Sequence, residues 1–196
     1  MKTVSVDLYT FDELTDKAKE RARDWYKTDY PDSDMLSEPV YDMAREAFAF
    51  FGVETSGIYF SGFWSQGDGA SFTGEFRAGL ISPAANIAAE FPTDETLRGL
   101  HARLIAIGHP EDSRIKITRS GHYAHSHTMD LNDADEYSRD DERELLAILR
   151  GLADWLYRLL ESEYEYLVSD ECVDESILSN GYHFTIDGKR DARGDE

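Results

Sequence analysis

The chain has 196 residues, 41% hydrophobic and 12% aromatic, which suits one folded domain and argues against a disordered chain. Its 40 acidic and 20 basic side chains give a formal net charge of -20, which argues against direct binding to phosphate backbones or anionic membranes, whose recognition rests on Lys and Arg. No apolar run approaches the roughly 20 residues of a membrane span and no basic start leads into an apolar leader, while Cys172 alone supports neither an intrachain disulfide nor a cysteine zinc site, so a reducing, cytoplasmic setting in a host cell is expected.

In chain order, Val4, Val6 and Leu8 alternate with Ser5 and Asp7, the period of a half-buried strand. Thr15 then reads as an N-cap, and Ala18, Ala22, Trp25 and Tyr26 form an apolar stripe that predicts a helix from Asp16 to Thr28. A second helix is expected after Pro39, with Ala44, Ala47, Phe48 and Phe51 inward and Gly52 ending it. Ile58 and Phe60, then Phe72 and Phe76, predict two strands joined across Gly67-Asp68-Gly69, because Asp-Gly supplies the positive φ of a hairpin turn. Ser82-Pro83 should open a short Ala-rich helix, and Thr93 another carrying Leu97, Leu100 and Leu104, stopped by Gly108 and Pro110.

A second hairpin is expected from Ile115 and Ile117 on one arm and Tyr123 to Leu131 on the other, turning near Ser120-Gly121. The strongest helical signal is Leu145, Leu149, Leu152, Leu156 and Leu159, stepping by 4, 3, 4 and 3, with Leu146, Trp155 and Leu160 widening the stripe. A further acidic turn or helix runs through Asp170 to Glu175, Tyr182, Phe184 and Ile186 alternate once more, and residues 188–196 read as a frayed, charged tail after a single domain over residues 1–187. Hairpins mixed with helices in this order predict an α+β fold, an antiparallel sheet built from hairpins and packed with several helices.

The search for chemistry is mostly exclusion. The Ser65 to Gly69 loop has the glycines of an anion-cradling turn, but no Lys-Ser/Thr ending and no dinucleotide spacing, so Asp68 reads first as a turn residue and second as a catalytic acid. His122, His125 and His127 cluster, and on a strand His125 and His127 would share a face about 7 Å apart, which makes a metal site the rival to ordinary edge-strand histidines. His183 joins that site only if the last strand lies alongside. No Gly-x-Ser-x-Gly elbow occurs, and Cys172 sits among Asp170, Glu171, Asp174 and Glu175, a poor setting for a thiolate nucleophile. No cofactor is therefore expected, nor a catalytic residue. Residues 130 to 179 hold 16 acidic and 4 basic side chains, either a solvated helix face or a surface for a basic protein.

Four stretches resemble a family of phage and prophage proteins of unknown function, some labelled antitoxin-like: Tyr9 to Glu20 with Asp24-Trp25-Tyr26, the block Phe60-Ser-Gly-Phe-Trp-Ser-Gln-Gly-Asp-Gly-Ala-Ser-Phe72, Gly121-His-Tyr with His125, and Glu163-Tyr-Glu-Tyr through Ser169 to Glu175. The resemblance implies an origin in phage or a mobile element and supplies no catalytic residues. With the charge, it leads to the expectation of a non-enzymatic inhibitor that binds a basic host or mobile-element protein, such as an anti-CRISPR or other anti-defence nucleic-acid mimic. Its partner-binding residues would be Glu161, Glu165, Asp170, Glu171, Asp174, Glu175, Phe63, Trp64, Gln66 and Asp68. The alternatives are an antitoxin neutralising a cognate toxin and a metal-dependent enzyme built on His122, His125 and His127.

Overall fold

The computed structural model describes residues 6–29, 33–110 and 112–194. The chain, read from its sequence as one domain, divides into two compact units, residues 1–37 with 162–196 and residues 38–161.

The larger unit is the expected α+β fold. Strands β2 (Phe51–Ser61), β3 (Gly69–Ile81), β4 (Arg114–Arg119) and β5 (Met129–Asn132) form an antiparallel sheet in that order, each paired with its sequence neighbour. Helices α2 (Ser33–Phe50), α3 (Ala84–Glu90), α4 (Glu95–Ala106) and α5 (Arg139–Leu167) supply the other half of its core. Ala44, Ala47 and Phe48 of α2, Leu97, Leu100 and Leu104 of α4, and the α5 leucines pack with Phe72, Phe76, Ile115, Ile117 and Met129 in one buried cluster. Each large apolar side chain buried there contributes roughly 1.5–3 kcal/mol. Asp94 ties two helices together: Oδ1 accepts from the Leu97 N–H at the start of α4 (2.8 Å), and Oδ2 accepts from the Trp155 indole N–H on α5 (2.6 Å).

In this unit the helices follow their apolar stripes and the departures lie at connections. The second helix begins at Ser33 and takes Pro39 into its interior instead of starting after it; a proline there forfeits one helical hydrogen bond, a cost that tertiary packing outweighs. Gly52 has the left-handed φ of +72° suited to ending a helix. No loop follows, and Gly52 lies at the register shift between Phe51 and Val53 where helix passes straight into strand. The short helix starts at Ala84, after Pro83, and Asp94 rather than Thr93 caps α4.

The smaller unit joins β1 (Tyr9–Thr10), α1 (Asp16–Asp29), α6 (Asp170–Ser179) and β6 (His183–Phe184), with β1 antiparallel to β6. Phe11, Leu14, Ala18, Ala22, Val173, Ile177 and Phe184 make its core, against which Trp25 and Tyr182 pack with ring centroids 5.3 Å apart. Val4 of the expected opening strand lies outside the described residues. Val6 to Leu8 carry no regular structure, because the pairing partner extends over only two residues. The described part of the tail read as frayed carries local pairing: Phe184 bridges Arg190, the Asp191 N–H donates to the His183 carbonyl (2.9 Å), and a 3-10 turn covers Ala192–Gly194. Gly188 sits so close to the Ala18 carbonyl that no side chain would fit there.

Candidate functional site

The block Phe60 to Phe72 contains the end of β2, a seven-residue loop and the start of β3. The turn is not the Asp-Gly hairpin expected. The Asp68 N–H donates to the Ser65 carbonyl (3.1 Å), and Gly67, at φ +96°, provides the positive φ. Asp68 then uses its side chain, Oδ2 accepting from the Trp64 N–H (2.8 Å) and the Ser65 N–H (2.6 Å), so the carboxylate holds the loop together. Phe63 turns inward, its ring 4.9 Å from Phe60 and 5.7 Å from Tyr157, whereas Gln66 is exposed and Trp64 is 81% exposed.

Next to this loop lies the β4–β5 connection, residues 120–128. The strand expected from Tyr123 starts only at Met129, because Ser126–Thr128 form a 3-10 turn in which the Thr128 N–H (2.9 Å) and hydroxyl (2.7 Å) both donate to the His125 carbonyl. A Cβ on Gly67 would lie 3.0 Å from the Tyr123 ring, and one on Gly69 3.0 Å from the Ala124 carbonyl oxygen, so the two motif segments are packed together. The fold thus unites blocks about 50 positions apart, which the sequence reading had treated separately.

The histidines do not share a strand face. His125 and His127 stack with centroids 5.0 Å apart and planes 12° from parallel. Lone pairs in parallel ring planes do not converge on one ion, and the His125 Nδ1 already accepts from the His127 N–H (3.1 Å). His122 is exposed, its ring 5.9 Å from Tyr123. His183 lies on β6 in the smaller unit. Among the described residues, no group of three His, Cys, Asp or Glu side chains could hold a metal ion.

The acidic residues fall into two classes. Asp174 accepts two hydrogen bonds from Arg23 (2.6 Å each), and Asp170 accepts one from Lys27 (2.8 Å) with Arg23 3.5 Å away. The Lys27 bond, with the Lys27 and Arg23 charges, holds Asp170 below the usual carboxylate value. Glu161, Glu165, Glu171 and Glu175 have no ion pair among the described residues. Arg23 and Lys27 were missed by sequence reasoning, although a signal was present. They are four apart on α1, as Asp170 and Asp174 are on α6, and such matched spacings let two helices pair by charge. The Tyr166 phenol is pushed up, first by Cys172 and then by burial and the charges of Glu175 and Glu171.

The model of a family described as Domain of unknown function (DUF8835) matches residues 36–170. The chain belongs to that family. The match takes in all of the larger unit, both packed motif segments and the first residue of α6, and leaves out α1 and nearly all of α6. No curated protein and no solved structure matches the chain.

Proposed function

We propose that this chain is a non-enzymatic accessory protein of phage or mobile-element origin, which occupies the basic surface of a host protein and acts as an anti-defence nucleic-acid mimic. The observation that carries the reading is the set of carboxylates left without ion-pair partners among the described residues, exposed at Glu165, Glu171 and Glu175 and half-buried at Glu161. Glu171 and Glu175 stand four apart on α6, where like charges repel by a few tenths of a kcal/mol, and Glu165 adds to the acidity of the same unit. A basic partner relieves that repulsion and is drawn in by the field of a chain with charge -20. Asp170 and Asp174 have a different part, holding α6 to α1.

The test is competition with nucleic acid for a CRISPR surveillance complex and for other nucleic-acid-binding defence proteins. Replacing Glu161, Glu165, Glu171 and Glu175 with Lys should slow association by tenfold or more at low salt, flatten the salt dependence, and change stability by only about 0.5 kcal/mol per site. Failure of the protein to compete for any basic target, or an unchanged association rate in the Lys variant, removes this reading.

A further inference from the structure

We propose that the junction between the β2–β3 loop and the β4–β5 connection binds a compact oxyanion, held by Arg119, Ser71 and Ser61. This site belongs to the larger unit and is independent of the acidic α6 surface. The first observation is a set of buried polar atoms without hydrogen-bond partners: Ser61 Oγ, Ser71 Oγ and Arg119 Nε. Ser71 is wholly buried. Buried polar groups in folded proteins are nearly always paired, so neighbouring orphans mark a place where a small polar ligand can be received.

The contacts place these atoms in one neighbourhood. Ser61 stands opposite Gly69 and Ser71 opposite Tyr59 in the β2–β3 pairing. The Arg119 guanidinium lies 4.4 Å from the centroid of the Tyr59 ring, and its Nη2 donates to the Tyr123 carbonyl (3.0 Å). Gly69 abuts Ala124 and His125.

The chemistry selects an anion. Arg119 can only donate, and the two serine hydroxyls can donate beside it. Neutral His125 carries its proton on Nε2, since Nδ1 accepts from a backbone N–H, and so adds another donor in the same segment. No carboxylate pairs with Arg119 or with nearby Arg150 among the described residues, although the chain has two acids for every base. Arg150 donates to the Met129 carbonyl (2.8 Å), and its Nε is likewise buried and unpartnered. Residues 113–129 contain no acid at all, and Asp112 and Asp130 bound that stretch. Asp68 is the carboxylate of the β2–β3 loop itself and its Oδ2 is taken up by the Trp64 and Ser65 N–H groups, so the proposed ligand is a single phosphate or carboxylate rather than a phosphate chain. Since Ser71 is covered, the Tyr123 side chain, 59% exposed, must move aside when the anion binds.

Inorganic phosphate is the probe, titrated against chloride at constant ionic strength. At ten times Kd it should raise the wild-type Tm by on the order of 3–6 °C, and move the amide resonances of Ser71 and Tyr123 and the Arg119 Nε resonance. Ser71→Ala should melt no lower than wild type without phosphate, because it removes an unpaired hydroxyl, and should lose most of the phosphate shift. Arg119→Gln should lose it entirely; if that variant does not fold, Ser61→Ala replaces it. Equal shifts in wild type and Ser71→Ala, or no shift beyond the chloride control up to tens of millimolar, overturn the proposal. So does an oligothymidylate that binds at these residues when phosphate does not.

Discussion

At Tyr137 three side chains form a hydrogen-bonded chain whose direction can be deduced. His109 Nε2 faces the Leu104 carbonyl (2.9 Å) and donates to it, so in the neutral ring Nδ1 accepts from the Tyr137 hydroxyl (2.9 Å), which in turn accepts from Ser113 (2.9 Å). Tyr137→Phe keeps the ring but leaves two polar partners unmatched, and should cost about 1–3 kcal/mol in urea denaturation. Burial holds this phenol above its ordinary value of 10.0. Its contribution is therefore complete below about pH 10 and fades as pH rises through the higher folded value, an alkaline loss that the Phe variant should lack. Asp68→Ala should cost roughly 1–2 kcal/mol, because two loop N–H groups lose their acceptor, and Trp64 emission should report the loosened loop. Sequence reading marked Asp68 as a turn residue without the side-chain role that distinguishes it. The Tyr137 chain was illegible, since its partners lie 24 and 28 positions away and none belongs to a motif.

Among the elements, β2 and β3 lie close together where Gly74 passes Glu54, and a Cβ there would collide with the Glu54 carbonyl oxygen. Gly74→Ala should destabilise by on the order of 1–3 kcal/mol, with amide exchange rising first along β2. A variant as stable as wild type would mean that the strands can separate without cost. The helices α1 and α5 and the β2–β3 hairpin were legible because each carries its own period, as in the leucine steps of α5. The His122 to Thr128 segment misled the same reasoning. Its alternating residues look like a strand, but Gly121 at φ +86° and the Thr128 bonds to the His125 carbonyl turn the chain locally. The meeting of the two motif segments was illegible for another reason: the order β2-β3-β4-β5 decides which loops become neighbours, and periodicity does not encode strand order.

For the whole molecule, charge is the dominant variable. A chain at -20 repels itself, so adding salt at pH 7 should raise Tm until screening is complete, near the concentration where the Debye length falls to roughly 3 Å. A Tm that falls with salt would show that local ion pairs outweigh the repulsion. Acid should act chiefly on the smaller unit; in the larger one, Arg103 lowers Glu144. Thr10 lowers Glu13, Lys27 lowers Asp170, Thr185 lowers Asp187, and Arg193 lowers Asp191 to about 2. Lowered carboxylates support the fold fully above their unfolded values, near pH 4, and that support drains as pH falls through the folded values. Circular dichroism melts between pH 7 and pH 2 should therefore show a loss beginning near pH 4, and unchanged melting over that span would refute it.

The division of the smaller unit between residues 1–37 and 162–196 sets a timetable for synthesis. Phe11, Leu14 and Ala18 leave the ribosome before their core partners Val173, Ile177 and Phe184, which follow only after about 160 more residues, roughly 8–32 s at ordinary rates of synthesis. Arg23 waits as long for Asp174, 151 positions on. Residues 38–161 are contiguous and can fold within that interval. During the wait the nascent amphipathic helix exposes Trp25, Tyr26 and the alanine stripe, which makes it a natural client for chaperones at the ribosomal exit and the segment most open to proteolysis before the chain is complete.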